Sequence, residues 1–380
     1  MPRRKRASQA ASLTTGIGLL ILIALIYAFN AFQNSGESTP MPTLVPATRT
    51  SRPPATAPVA VGGWYELYFT TPNETAALSD PSGGLPDRII ETLNAAQQTI
   101  DVAVYEFDWQ PLADALLAAG ERGVTVRLVT DTDSMTEAPV LALAAAGIPV
   151  VEDDRAAIMH DKFVVLDGAA VWTGSMNFTR NDAYRNNNNL IHIRSTRLAQ
   201  NYTAEFEEMF TGQAFGPTSP SDTPNPLVTI DGTRIENYFA PEDEVAGKIL
   251  PVLQQARSSI FFMAFSFTRQ DFSNALLERA ADGVNVRGVF ETRQIAAGAN
   301  QAWELLTVGG LAANVRQDGN PYNLHHKVFI VDQAIVVTGS FNFSGNADER
   351  NDENVVIIHN PEIAAAYLAE WERVWEQAGP

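Results

Sequence analysis

Cysteine is absent from the 380 residues. No disulfide can brace this chain and no thiolate can serve as nucleophile or metal ligand, so its stability must come from a buried core. Lysine is nearly as scarce: beyond residue 63 it occurs only as Lys162, Lys248 and Lys327. Positive charge is short overall, with 20 Lys and Arg against 43 Asp and Glu after residue 63, a formal charge of −23. That balance disfavours loading along DNA or RNA, which rewards basic surfaces. Long apolar runs are also few. One uninterrupted stretch, Leu13 to Phe32, carries no charge.

That run is long enough to span a bilayer, and Arg3, Arg4, Lys5 and Arg6 before it predict a cytoplasmic amino terminus. A retained anchor is favoured over a cleaved signal because no clean small-x-small site follows the apolar stretch. Either way the remainder is exported: extracytoplasmic and membrane-anchored, or secreted if the segment is cleaved. Half of the positions from Ser35 to Gly62 are Pro, Ser or Thr. Such a segment cannot bury a core and reads as a disordered tether, reaching at most about 85 Å in polyproline geometry. The expected segmentation is a basic segment 1–12, a membrane segment 13–32, a linker 33–63, one repeat over 64–213, a Pro-rich linker 214–227 and a second repeat over 228–380.

The repeats are visible residue by residue. His160-Asp161-Lys162-Phe163 and His325-His326-Lys327-Val328 both run on to Asp (Asp167, Asp332) and then to Gly-Ser-x-Asn (Gly174, Ser175, Asn177; Gly339, Ser340, Asn342). The offset is 165 at every one of these positions. Upstream, Arg122-Gly123-Val124 aligns with Asp282-Gly283-Val284 at an offset of 160. Within each copy, apolar helical periodicity alternates with short apolar strands. Pro86 and Pro111 mark helix starts, and Ile100–Val104, Val124–Val129, Ile148–Val151, Phe163–Leu166 and Ala170–Thr173 read as strands. This alternation predicts an α/β fold of two tandem repeats, each a mixed sheet covered by helices on both faces, packed about a pseudo-twofold axis.

Two of three lysines at one repeated position point to chemistry rather than to surface decoration. On an extended strand, residues i and i+2 share a face, which predicts that His160 projects with Lys162 and His325 with Lys327. Gly-Ser-x-Asn adds hydroxyl and amide donors, and Gly174 and Gly339 would let the backbone approach a ligand closely. Two imidazoles, two ammonium groups, two hydroxyls and two amides suit a phosphodiester. The cations and donors neutralise charge on the non-bridging oxygens, one imidazole attacks phosphorus, and the other protonates the leaving oxygen. His326 falls on the opposite strand face, so no metal is expected there. His192 and His359 do not align and read as satisfied structural histidines.

The doubled pattern H-x-K-x4-D-x6-G-S-x-N resembles the HKD motif of the phospholipase D superfamily, over about residues 64–380. That resemblance implies a phospholipase D fold, no cofactor, no metal, and a ping-pong reaction through a covalent phosphohistidine. It implies His160 as nucleophile and His325 as general acid. Lys162, Lys327, Ser175, Asn177, Ser340 and Asn342 would grip the phosphate, and Asp167 and Asp332 would brace the strands. Family members place an acidic residue after the motif. The second repeat has Glu353, where the first has Asn188. A carboxylate behind one imidazole only would make the halves unequal. If Glu353 crosses the repeat interface it serves His160; if it stays within its repeat, the roles exchange. The expected reaction is hydrolysis of a phospholipid to phosphatidate and free head group by a monomeric, membrane-anchored unit. A metal-independent endonuclease and a cardiolipin synthase-like phosphatidyltransferase are the alternatives.

Overall fold

The computed structural model describes residues 60–70, 72 and 85–379. The expected membrane segment and nearly all of the tether lie outside the described residues. Among the described residues, no helix is long and apolar enough to cross a membrane.

Sixteen strands form two eight-stranded sheets. The first contains β1 (Ala60–Val61), β2 (Tyr65–Phe69), β3 (Thr99–Val104), β4 (Thr125–Thr130), β5 (Val150–Glu152), β6 (Lys162–Leu166), β7 (Ala170–Gly174) and β8 (Asn189–Arg194). Their spatial order is β1-β2-β8-β7-β6-β3-β4-β5. The second contains β9 (Leu227–Ile230), β10 (Thr233–Ala240), β11 (Ser259–Ala264), β12 (Asn285–Phe290), β13 (Val315–Gln317), β14 (Lys327–Val331), β15 (Ile335–Gly339) and β16 (Glu353–His359). It repeats the same order strand for strand. The duplication therefore extends over the whole sheet, well beyond the motif.

Only β3-β4-β5 and β11-β12-β13 are parallel among the described residues; every other pairing is antiparallel. The βαβ reading thus holds for three strands per repeat. Tight connections such as Ile230 to Thr233 leave no room for a crossover helix, which forces the hairpins.

Helices α1 (Leu85–Ala95), α2 (Gln110–Glu121) and α3 (Ala138–Ala145) pack through Ile89, Leu93, Leu112, Leu116, Val140 and Leu143 onto one face of the first sheet. In the second repeat Ile249, Leu253, Phe272 and Leu276 do the same. A third cluster joins the repeats. It holds Tyr202 and Phe206 of the helix Thr196–Phe210 with Tyr367 and Trp371 of the helix Pro361–Gln377, against inward residues of both sheets such as Phe163, Val165, Val328 and Ile330. Full burial of each such side chain contributes about 1.5–3 kcal/mol, so this shared core fixes one repeat on the other. The linker between repeats joins it too: Phe215 is buried there, and Gly216 N–H donates to Asp352.

The motif aspartates are braces. Asp167 accepts from the backbone N–H groups of Gln97, Gln98 and Thr99 at 2.7–3.1 Å. Asp332 accepts from those of Arg257, Ser258 and Ser259 at 2.7–3.0 Å. Each ties the end of a motif strand to the start of its central neighbour.

Candidate active site

The segment before each motif strand pairs with the other repeat. Met159 bridges Asp352, with His160 N–H donating to the Asp352 carbonyl at 2.9 Å; Asn187 bridges Leu324, with His325 N–H donating to the Asn187 carbonyl at 2.9 Å. Two backbone exchanges thus place each histidine beside the last strand of the opposite repeat. The residues after the histidines lock that arrangement. Asn354 donates to Asp161 at 2.6 Å, and Asn189 bonds His326 at 3.0 Å. His326 also reaches Glu370 at 3.2 Å. It is a structural residue on the far side of the strand.

His160 and His325 line one cavity of about 580 Å³. Across the repeat interface, Glu353 Oε2 stands 2.7 Å from His160 Nδ1. Glu353 therefore serves the histidine of the other repeat. With Nδ1 engaged, Nε2 is the ring nitrogen left for the cavity. Burial pushes the His160 imidazole well below and the Glu353 carboxyl well above their ordinary ranges, because neither charged form is well solvated there.

His325 has a different partner. Its Nδ1 lies 2.9 Å from Asn188 Oδ1. Ser175 donates to the same oxygen at 2.9 Å, and the Asn188 amide nitrogen donates to Asp182. This fixes the amide so that it accepts an Nδ1–H from His325. Asp182 itself stands 3.5 Å from Nδ1 and is buried. Burial, followed by Lys327 and Lys162, holds the His325 imidazole well below its ordinary range.

Asp182 escaped the sequence reading. The aligned position in the second repeat is Ala347, so a carboxylate gained in one repeat only was the available signal. Glu106, which accepts from the Asn177 amide at 3.2 Å, was missed as well. Tyr105 and Phe265, with ring centroids 5.3 and 4.8 Å from His160 and His325, were also missed.

The two lysines are buried below the histidines. Each curls back to donate to the carbonyl of its own histidine, Lys162 at 2.6 Å and Lys327 at 2.8 Å. The motif strands begin at Lys162 and Lys327, so the histidines sit in the preceding connectors rather than on the strands. Burial lowers the Lys162 ammonium to about 8 and pushes that of Lys327 well below its ordinary value. A bound anion would offset that penalty.

The Gly-Ser-x-Asn residues divide. Asn177 and Asn342 line the cavity, and the Oδ1 atom of each is buried without a hydrogen-bond partner. Ser175 and Ser340 are fully enclosed and do not line it. Ser175 is spent on Asn188, while Ser340 accepts from the Asn354 backbone at 2.9 Å. The glycines differ from expectation too. An added Cβ would overlap the Asn189 carbonyl at Gly174 and the Asn354 carbonyl at Gly339. The close approach is therefore to the neighbouring strand, not to a ligand. His359 is satisfied by Glu236 at 2.8 Å. His192 is not: it stacks on Trp172 at 4.7 Å, and neither ring nitrogen has a hydrogen-bond partner.

The roles the motif resemblance implies, His160 as unprotonated nucleophile and His325 as protonated acid, carry an expected pH dependence. Catalytic efficiency (kcat/KM) reports the free enzyme's groups. The lowered value of His160 keeps it unprotonated at pH 6.5, while the lowered value of His325 means that its protonated fraction declines above a pH already below 6.5. On a diester with an alkyl leaving group, kcat/KM should peak below pH 6.5 and fall about tenfold per unit above the peak. A profile flat to pH 8 would contradict this assignment.

A two-lobed constellation of this kind defines a class. A family model described as cardiolipin synthase, PLD-like domain, matches residues 89–210 and again 249–375. The chain belongs to the phospholipase D superfamily. The mitochondrial cardiolipin hydrolase of Homo sapiens is 35% identical over 141 residues, 37% of this chain and 55% of that protein. The phospholipase D of Rickettsia bellii is 31% identical over 157 residues, 40% of this chain and 77% of that protein. This chain thus covers little more than half the length of the human relative. Among solved structures, the phosphatidylserine synthase of Haemophilus influenzae Rd KW20 shares the fold, with a TM-score of 0.60 at 13% identity over 77% of this chain and 83% of that one.

Proposed function

We propose that this protein is a phospholipase D-type phosphodiesterase that hydrolyses a phospholipid to phosphatidate and free head group. The observation that carries it is one cavity lined by two histidines, one from each repeat, whose Nδ1 partners are unequal. His160 Nε2 attacks phosphorus and forms a P–N bond as the bond to the head-group oxygen breaks. His325 delivers its proton to that oxygen. In the second half His325 takes a proton from water, whose oxygen attacks phosphorus and breaks the P–N bond. Lys162 and Lys327 hold positive charge beneath the phosphoryl group, where it stabilises the developing negative charge, and the amides of Asn177 and Asn342 donate to its oxygens.

The cavity wall supports a lipid over a polynucleotide. Glu106, Asp108, Asp133, Glu137 and Asp182 line it, and among the described residues no lysine or arginine does. A polyanion would pass Glu106, Asp108, Asp133 and Glu137 to reach the histidines, whereas a single phosphate joined to an ammonium head group matches an acidic rim above the two lysines buried beneath the histidines. The names of the relatives, cardiolipin hydrolase and phospholipase D, support a phospholipid substrate. On this reading residues 13–32 anchor the protein and the tether lets the exported catalytic unit reach lipid, acting as a monomer.

Incubating the detergent-solubilised protein with phosphatidylcholine, phosphatidylglycerol and single-stranded DNA tests the reading. Choline release should exceed glycerol release, with the DNA left intact. Cleavage of DNA alone, abolished by His160→Ala, would establish the endonuclease reading instead. Transfer of phosphatidyl to an added alcohol with no release to water would favour the synthase reading.

A further inference from the structure

Beneath the strand that carries the first motif lies a second cluster that the reaction does not use. Glu205 and Glu208 stand three positions apart on the helix Thr196–Phe210, on one face. Glu242 comes from the turn after β10, in the other repeat. One carboxylate oxygen from each lies within 4.8 Å of the other two. None of the three lines the cavity of the histidines.

Acidic clusters are common, but this one carries an independent sign. Glu205 is only 3% exposed; its carboxylate offers an oxygen to the group, and its buried Oε1 has no hydrogen-bond partner. Glu208 Oε2 and both Glu242 oxygens are likewise buried and without a partner. Buried carboxylate oxygens from three residues therefore gather with no lysine, arginine or amide side chain among the described residues paired to them, which leaves part of their desolvation cost uncompensated. Asp161, beside the histidine of the first repeat, is fully buried, and its Oδ2 is also without a partner. Its charge acts on both Glu205 and Glu242.

The geometry points to a binding site for a hard divalent cation of the calcium class, held by Glu205, Glu208 and Glu242 across the repeat interface. The donor set is oxygen only, with no nitrogen or sulfur, which selects calcium or magnesium over zinc or copper. Carboxylates able to bind through one or both oxygens, from a helix and a turn, suit calcium's looser geometry better than magnesium's strict octahedron. The cation would tie the first repeat's helix to the second repeat's turn under the Asp161 segment. Its effect falls on the stability of the repeat interface, while the phosphoryl chemistry above proceeds without it.

Thermal melting of the full-length protein after EDTA treatment, with calcium chloride or magnesium chloride added back, tests this. Saturating calcium should raise Tm by about 5 °C and magnesium by less. Glu242→Gln, which removes a ligand from a turn without touching the helix, should melt as a folded protein and lose most of the calcium shift. The E205Q/E208Q double variant should lose all of it. A wild-type Tm unmoved by either ion at millimolar concentration, yet rising steadily as pH falls, would overturn the site and show that shared protons satisfy the cluster. An undiminished calcium shift in Glu242→Gln would also overturn it.

Discussion

Alanine at position 160 should lower kcat/KM by at least about 10⁴-fold, whatever the leaving group. The loss corresponds to about 5.4 kcal/mol of transition-state stabilisation at about 1.36 kcal/mol per factor of ten. Removal of the nucleophile leaves only the lysines and amides to polarise the phosphate, and water would have to attack in line unaided. His325→Ala should behave differently. With an alkyl leaving group it should lose as much, because the departing alkoxide needs a proton. With a nitrophenyl leaving group the first step needs none, and His325→Ala should release nitrophenol in a burst and then stall, since no base activates water for the second step. Steady-state and pre-steady-state release of nitrophenol by the two variants checks this. Equal losses with both leaving groups in both variants would remove the distinction between nucleophile and acid.

Glu353→Gln is expected to lower kcat by about 10²–10⁴-fold while leaving the fold intact. A carboxylate can only accept from Nδ1 in the 2.7 Å contact, which keeps the Nε2 lone pair in the cavity. A glutamine can present its amide N–H instead, and the ring then places its proton on Nε2, the wrong tautomer for attack. Loss of a carboxylate that orients a histidine costs up to about 10⁴ in kcat in hydrolytic triads. Glutamine has the same shape as glutamate and carries no charge, so the substitution buries no new charge at this fully enclosed position, and Tm should hold or rise. A merely structural residue would show the reverse pattern, with a lowered Tm and a modest rate effect. Asn188→Ala should cost His325 its orientation but leave Asp182 3.5 Å away, so its rate loss should be the smaller of the two.

Much of the site was legible because the duplication printed it twice. The histidines, lysines and asparagines recur at one constant offset, and the aspartates, implied as braces by the motif resemblance, accept from the backbone at the start of the neighbouring strand. What the sequence could not carry was the crossing. Met159 pairing with Asp352, and Asn187 with Leu324, are contacts between segments far apart in the chain, without any local pattern of their own. That crossing decides which imidazole receives Glu353. The serines were misread for a related reason. A hydroxyl in a motif loop looks available, but Ser175 and Ser340 are consumed by the last strand of their own sheet. The antiparallel half of each sheet was underestimated because β2 and β10 mix polar and apolar residues and sit far from the motif.

The central claim is that His160 carries the covalent phosphoryl group while His325 handles the proton. Acid quenching of the His325→Ala protein, after brief incubation with a diester labelled at phosphorus, tests it most directly. One labelled peptide is expected, containing His160, with stability typical of a phosphoramidate: lost in acid on warming and retained in base. Label on His325 in the His160→Ala protein, with none on His160 in its counterpart, would contradict it.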